Sequence, residues 1–120
     1  MIEQGSEEWH AQRLGKATAS RIADIMAKTK TGWGASRANY AAELVCERLT
    51  GKRAEGFTNA AMAFGTENEP LARAAYEFRH DVTVELASFI DHPRVAMSGA
   101  SPDGLIGDDG LIEIKVPNSA

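Results

Sequence analysis

The chain has 120 residues, 43% of them hydrophobic, with 13 Lys and Arg against 17 Asp and Glu for a formal net charge of -4; that suits a single small globular domain and excludes a disordered or collagen-like chain. No apolar run approaches the ~20 residues that span a bilayer, the N-terminus lacks the basic-then-apolar pattern of a secretory leader, and a lone cysteine, Cys46, excludes an internal disulfide and a cysteine-built zinc site and fits a reducing compartment. Residues 10–53 hold nine Lys/Arg against three acids, and residues 54–120 hold four against eleven; this fits a part that holds a polyanion and a part that holds metal ions, or simply two solvated surfaces of opposite sign.

A first helix is expected from Ser6, a hydroxyl cap followed by Glu7 and Glu8, with Trp9 and Leu14 as apolar anchors. Thr18-Ala19-Ser20 offers caps for a second helix carrying Ile22, Ile25 and Met26. Residues 28–36 are a loop by composition. Ser36 is placed to cap a third helix with Tyr40, Leu44, Val45 and Leu49 on one face, and Gly51 suits its C-terminus. A fourth helical stretch is expected over 59–79, where Pro70 predicts a start near Thr66 or a kink. The helical part is thus 6–79 and the strand part 82–117. Val82 to Ile90 suggest a first strand, residues 95–101 a second and Leu111 to Val116 a third. Gly107-Asp108-Asp109-Gly110 is a tight-turn signal, and a β-hairpin over 95–116 follows from it. Helices followed by a hairpin point to an α/β or α+β domain.

The third strand alternates. Ile112, Ile114 and Val116 read as its core face, which puts Glu113 and Lys115 side by side on the other. Asp103, after Pro102, would lie opposite Ile114 or Lys115, so that Asp103, Glu113 and Lys115 can converge. Two carboxylates and an amine suit a Mg²⁺ or Mn²⁺ hydrolase, with the Ile114 carbonyl as a further oxygen and Lys115 assisting the water. The competing reading is an exposed ladder with a weak ion pair. Glu69, in Gly65-Thr66-Glu67-Asn68-Glu69-Pro70, is a third candidate ligand, although acids favour first helical turns for dipole reasons alone.

Taken together these residues resemble a known family. Pro102-Asp103 and Glu113-Ile114-Lys115 read as the PD-(D/E)xK nuclease signature. Trp9-His10-x-x-Arg13-Leu14-Gly15-x-x-Thr18-Ala19-Ser20, Gly65-x-x-x-Glu69-Pro70-x-Ala72-Arg73 with Tyr76-Glu77, and Ser101-Pro102-Asp103-Gly104-Leu105 resemble motifs of the phage lambda exonuclease and YqaJ-like viral recombinase family, in the family's order. The resemblance implies an α/β fold, helices packed on a mixed β-sheet with a restriction-endonuclease-like core. It implies 5′-to-3′ digestion of linear double-stranded DNA with two Mg²⁺ (or Mn²⁺) ions, releasing mononucleotides and leaving 3′ overhangs for a single-strand annealing protein. By the same pattern Asp103, Glu113, Glu69 and the Ile114 carbonyl bind metal, and Lys115 assists catalysis. Arg13, Ser20 and Ser101 hold a 5′-phosphate, with an N-cap role for Ser20 not exclusive of this. A trimer and a cytoplasmic setting in a bacterial host or prophage are further implications. Family members continue past the Glu-x-Lys strand with more strands and a helix, whereas this sequence stops at Ala120, so an incomplete catalytic sheet is the expectation. The alternatives are a related endonuclease, or a DNA-end-binding or protein-binding module without turnover.

Among the remaining residues, His10 reads as structural, with a polar contact near a phosphate as the alternative. His80 and His92 read as surface residues. Trp33 sits between glycines in a basic loop, either tucked on the core or free to stack on a DNA base. Lys28, Lys30, Arg37, Lys52 and Arg53 read as a solvated face or as phosphate contacts.

Overall fold

The structure, a computed structural model, describes residues 2–53 and 60–117. The chain packs as two units: Met1–Glu55 with Ser88–Ser101, and Gly56–Ala87 with Pro102–Ala120.

The first unit opens with α1 (Glu7–Arg13), and the Ser6 hydroxyl accepts the Trp9 amide N–H at 3.2 Å, as the capping pattern predicts. β1 (Ala17–Thr18) leads into a 3₁₀ turn, Ala19–Arg21, and then α2 (Ile22–Met26). Here the capping expectation fails: Ser20 lies inside the 3₁₀ turn, the N-cap of α2 is Arg21, and the Thr18 and Ser20 hydroxyls bond each other at 3.1 Å. Residues 28–36 also differ from the expected loop. They contain an antiparallel hairpin, β2 (Lys28–Thr29) with β3 (Gly32–Trp33), and two residues per strand leave no period to read. In α3 (Ala35–Thr50) the N-cap is Gly34; the Ser36 hydroxyl instead donates to the Asp24 carbonyl at 2.9 Å and ties α3 to α2. Gly51 closes α3 at φ 70°, where a side chain would be strained.

The sheet of this unit has the order β1-β5-β4, with β4 at Ile90–Asp91 and β5 at Ser98–Ala100. β1 pairs parallel with β5 (Thr18 opposite Gly99) and β4 pairs antiparallel with it (Ile90 opposite Ala100), so the sheet is mixed. Tyr40 joins helix to sheet. It is 4% exposed, and its hydroxyl accepts the Thr18 amide N–H at 3.1 Å and donates to the Lys16 carbonyl. Thr18 and Phe89 are buried as well.

The second unit is built on α4 (Ala60–His80). This helix starts before Thr66 and runs on through Pro70, contrary to the expected start or break. Proline removes one N–H, the partner of the Thr66 carbonyl, and a 21-residue helix keeps its remaining bonds. Residue 59, where the sequence reading began the helix, lies outside the described residues. The helix ends at Asp81 in the left-handed region (φ 51°), and the Val82 amide reaches back to the Glu77 carbonyl at 3.2 Å. The hairpin is shorter than predicted. β6 (Gly104–Ile106) pairs with β7 (Gly110–Ile112), and Gly107 turns at φ 60°. Residues 95–101 are not its first arm, since β5 belongs to the other sheet and Pro102 has no N–H to continue a ladder. Nor do residues 82–90 form one strand: Glu85 makes a single bridge to Leu105, and Ile90 lies in β4. The alternation of the third strand outlasts its ladder, with Ile112, Ile114 and Val116 half-buried and Leu111, Glu113 and Lys115 exposed. Among the described residues no helix is long and apolar enough to cross a membrane.

A Cβ at position 99 would overlap the Ile90 carbonyl oxygen and the Phe89 ring. Gly99→Ala is therefore expected to destabilise the protein by about 1–3 kcal/mol, read as a lower urea midpoint at unchanged slope; an unchanged midpoint would show that the mixed sheet is not packed this closely.

Candidate functional site

In the second unit the acidic residues are placed by one hydrogen bond. Asp103 precedes β6, and its Oδ2 accepts the Ile114 amide N–H at 2.8 Å, two residues beyond the end of β7. This holds residues 113–115 beside Asp103 after the ladder has stopped. From α4, Glu69 pairs with Arg73 one turn later at 2.9 Å, and Arg73 also donates to the Asp103 carbonyl at 3.3 Å. Lys115 Nζ lies 3.9 Å from Glu113 Oε2, and both side chains are exposed (87% and 51%), so the pair is weak and salt-screened. An open cleft of about 520 Å³ is bounded by Gly65, Thr66, Glu69, Ile114 and Lys115.

Two of the carboxyls, Glu69 and Glu113, hold their protons more tightly than usual. Burial pushes Glu69 up, the Asp103 charge adds to it, and Arg73 opposes both without cancelling them. Glu113 is raised by burial and then by Asp103, against Lys115. Among the described residues no three carboxylate, imidazole or thiolate groups enclose a single point as a ready-made metal cage. The coupling between them runs through Asp103. The donors are nonetheless all hard oxygens, and the excess negative charge around Asp103 is what a divalent cation would relieve, so the residues fit Mg²⁺ or Mn²⁺.

The first unit holds a separate pocket of about 230 Å³ lined by Trp9, His10, Arg13, Ser20, Arg21 and Arg53, among others. The Arg13 guanidinium stands 4.2 Å from the Trp9 ring centroid. Ser101 Oγ accepts from both Arg13 Nη1 and Trp9 Nε1, each at 3.1 Å. Burial draws the proton affinity of Arg13 down, although a guanidinium stays charged at any working pH. Arg13 and Ser101 are therefore in direct contact, and Ser20 faces the same pocket from the 3₁₀ turn.

Residues 8–120 match the model of the YqaJ-like viral recombinase domain. The chain belongs to this family. Its structure is similar to that of LHK-Exo, an alkaline exonuclease from Laribacter hongkongensis, with a TM-score of 0.84 and 58% sequence identity over 95% of this chain and 55% of that one. A second structure of LHK-Exo, in complex with dAMP, gives the same TM-score and identity over 94% and 54%. The chain thus spans about half the length of these relatives, and the mixed α/β architecture is theirs. A search of curated proteins gives no match.

Several residues that shape this YqaJ-like domain escaped the sequence reading. Arg73 ends the Gly65-x-x-x-Glu69-Pro70-x-Ala72-Arg73 motif at i+4 from Glu69, a spacing that signals an ion pair. Gly15 is held at both ends by α3: its amide donates to Glu47 Oε1 at 3.0 Å, and its carbonyl accepts from Arg48 Nε at 2.7 Å. Its φ of 69° and the closeness of Arg48 leave no room for a side chain. Nothing local announces a contact across 33 residues. His10, read as structural with a polar contact near a phosphate as the alternative, lines the pocket and meets Arg53.

Arg73→Gln removes the cation that holds Glu69 down. In metal-free protein the Glu69 carboxyl should then titrate at higher pH than in the wild type, followed by ¹³C NMR of the side-chain carboxyls. A carboxyl raised in the folded state favours folding while protonated. That contribution is complete below the ordinary glutamate range and is lost as pH rises through the raised folded value, so in the variant the loss extends to higher pH. An unmoved titration would remove Arg73 from control of this site.

Proposed function

We propose that this chain is the nuclease part of a metal-dependent 5′-to-3′ exonuclease on linear double-stranded DNA, releasing mononucleotides and leaving 3′ overhangs. The observation that carries the reading is the Asp103–Ile114 bond, which places a Glu-x-Lys segment next to a carboxylate already coupled to Glu69. The alkaline exonuclease activity named for the 58% identical relative supports it, as does the dAMP bound in that relative, a molecule of the product class.

In this reading Asp103, Glu113, Glu69 and the Ile114 carbonyl hold Mg²⁺ or Mn²⁺, two ions by family resemblance. Such a cation, when bound, acidifies a water and offsets charge on the phosphate. Lys115, an exposed ammonium only loosely held by Glu113, turns to orient the attacking water and to neutralise charge building on the phosphate oxygens. Water adds to phosphorus as the bond to the 3′-oxygen breaks, and that oxygen takes up a proton. The released nucleotide carries the 3′-hydroxyl, and the shortened strand carries a new 5′-phosphate. Arg13, Ser20 and Ser101 hold that terminal phosphate by charge-assisted hydrogen bonds. Residues 1–120 form part of a single nuclease domain, and the resemblance adds a homotrimer, a single-strand annealing partner and a bacterial cytoplasmic setting.

The test is hydrolysis of linear duplex with 5′-phosphate or 5′-hydroxyl ends, in Mg²⁺ and in chelator. Mg²⁺-dependent release of mononucleotides is expected, falling by at least about 100-fold in Lys115→Ala. Release that persists in chelator or is undiminished in the variant would contradict the mechanism, and end binding without turnover would make the chain an end-binding module.

A further inference from the structure

We propose that Arg73 is a positioning residue for the acidic site of the second unit: by fixing the Glu69 carboxylate against Asp103 it makes the site prefer Mg²⁺ over Ca²⁺. The proposal rests on reading these carboxylates as a metal site.

Glu69, Ile114 and Lys115 border the open cleft, and Arg73 does not. It reaches the acids from behind. Its side chain is only 15% exposed, and a single nitrogen, Nη2, donates both to Glu69 Oε1 at 2.9 Å and to the Asp103 carbonyl at 3.3 Å. The first contact lies within α4, and the second crosses to the segment before β6. Arg73 therefore sets the spacing of Glu69 from Asp103 without bordering the cleft itself. Its Nε is buried with no partner among the described residues. A buried guanidinium with an unmet donor is a costly way to tie a helix to a hairpin, and an apolar side chain would serve packing alone at less cost. What arginine adds here is the double hold on the two acids.

The same bonds decide which oxygens remain. Arg73 engages Oε1 of Glu69, and the Ile114 amide engages Oδ2 of Asp103, so each carboxylate is tethered by one oxygen and keeps the other for a cation. The two carboxyls are close enough to share a hydrogen bond when Glu69 is protonated. Mg²⁺ demands near-octahedral oxygens at about 2.0–2.1 Å, whereas Ca²⁺ takes about 6–8 oxygens at about 2.3–2.6 Å in flexible arrangements. Carboxylates that are close together and tethered suit the smaller, stricter shell. Freed of Arg73, Glu69 could swing out and serve the wider one.

The test measures cation binding to the whole metal-free chain, without turnover: Mn²⁺ loading followed by EPR, with Mg²⁺ and Ca²⁺ as competitors. The wild type should take Mg²⁺ in preference to Ca²⁺. Arg73→Gln should weaken Mg²⁺ about tenfold and Ca²⁺ clearly less, so that the preference narrows, which a merely structural role would not produce. Arg73→Lys keeps the charge on an unforked head; it should narrow the preference as well, and it carries the comparison alone if Arg73→Gln does not fold. In Glu69→Gln, where the carboxylate is already gone, adding Arg73→Gln should change the preference no further. An equal change for both cations in Arg73→Gln, in either direction, would reduce Arg73 to packing or plain charge and overturn the proposal, as would independent, additive changes in the double variant. Wild-type protein that binds Mn²⁺ no better than Asp103→Asn would remove the metal reading and the proposal with it.

Discussion

The hydrogen bond from the Ile114 amide to the Asp103 carboxylate is the constraint on which the acidic site of the second unit depends. The β6–β7 ladder stops at Ile112, and without this bond nothing in it would fix the side chains that follow. Glu69 and Glu113 both hold their protons more tightly than usual, through burial first and then the Asp103 charge beside them. Arg73 balances part of this charge while binding the Asp103 backbone, so one side chain serves both the geometry and the electrostatics. A cluster of mutually repelling oxygens is unfavourable by itself and becomes favourable around a divalent cation.

The first unit works on another principle. Its mixed sheet is joined to α3 by the Tyr40 hydroxyl at Thr18, and Gly15 is clasped between Glu47 and Arg48. These long-range bonds fix the segment between Arg13 and Ser20 from both sides. The pocket beside them carries charges of both signs, Arg13, Arg21 and Arg53 with Glu43 and Glu47.

How far this was legible depended on the range of each interaction. The Ser6 cap, the Gly51 terminus and the alternation through 111–116 are local, and each could be read directly. The turn at 107–110 was equally clear, yet it could not tell how far the ladder extends. β5 pairs in parallel with β1, whose residues lie about eighty positions earlier, and no turn signal links them. The Lys28–Trp33 hairpin was too short to show a period. Strand alternation and family resemblance together singled out Asp103, Glu113 and Lys115, and the structure holds residues 113–115 beside Asp103. Ser20 was expected as a helix cap, but a 3₁₀ turn intervenes and puts Arg21 at the cap position of α2. The meeting of His10 with Arg53 spans 43 residues and left no trace in either neighbourhood.

The central claim is that the carboxylate cluster organised by Asp103 binds a divalent cation. Calorimetric titration of Mn²⁺ into the wild type and Asp103→Asn tests it most directly. Asparagine keeps an oxygen acceptor for the Ile114 amide and removes only the charge. The account predicts a binding isotherm in the wild type and an affinity at least about tenfold weaker in the variant, with the backbone NMR spectrum otherwise preserved. Equal affinity in the two proteins would contradict it.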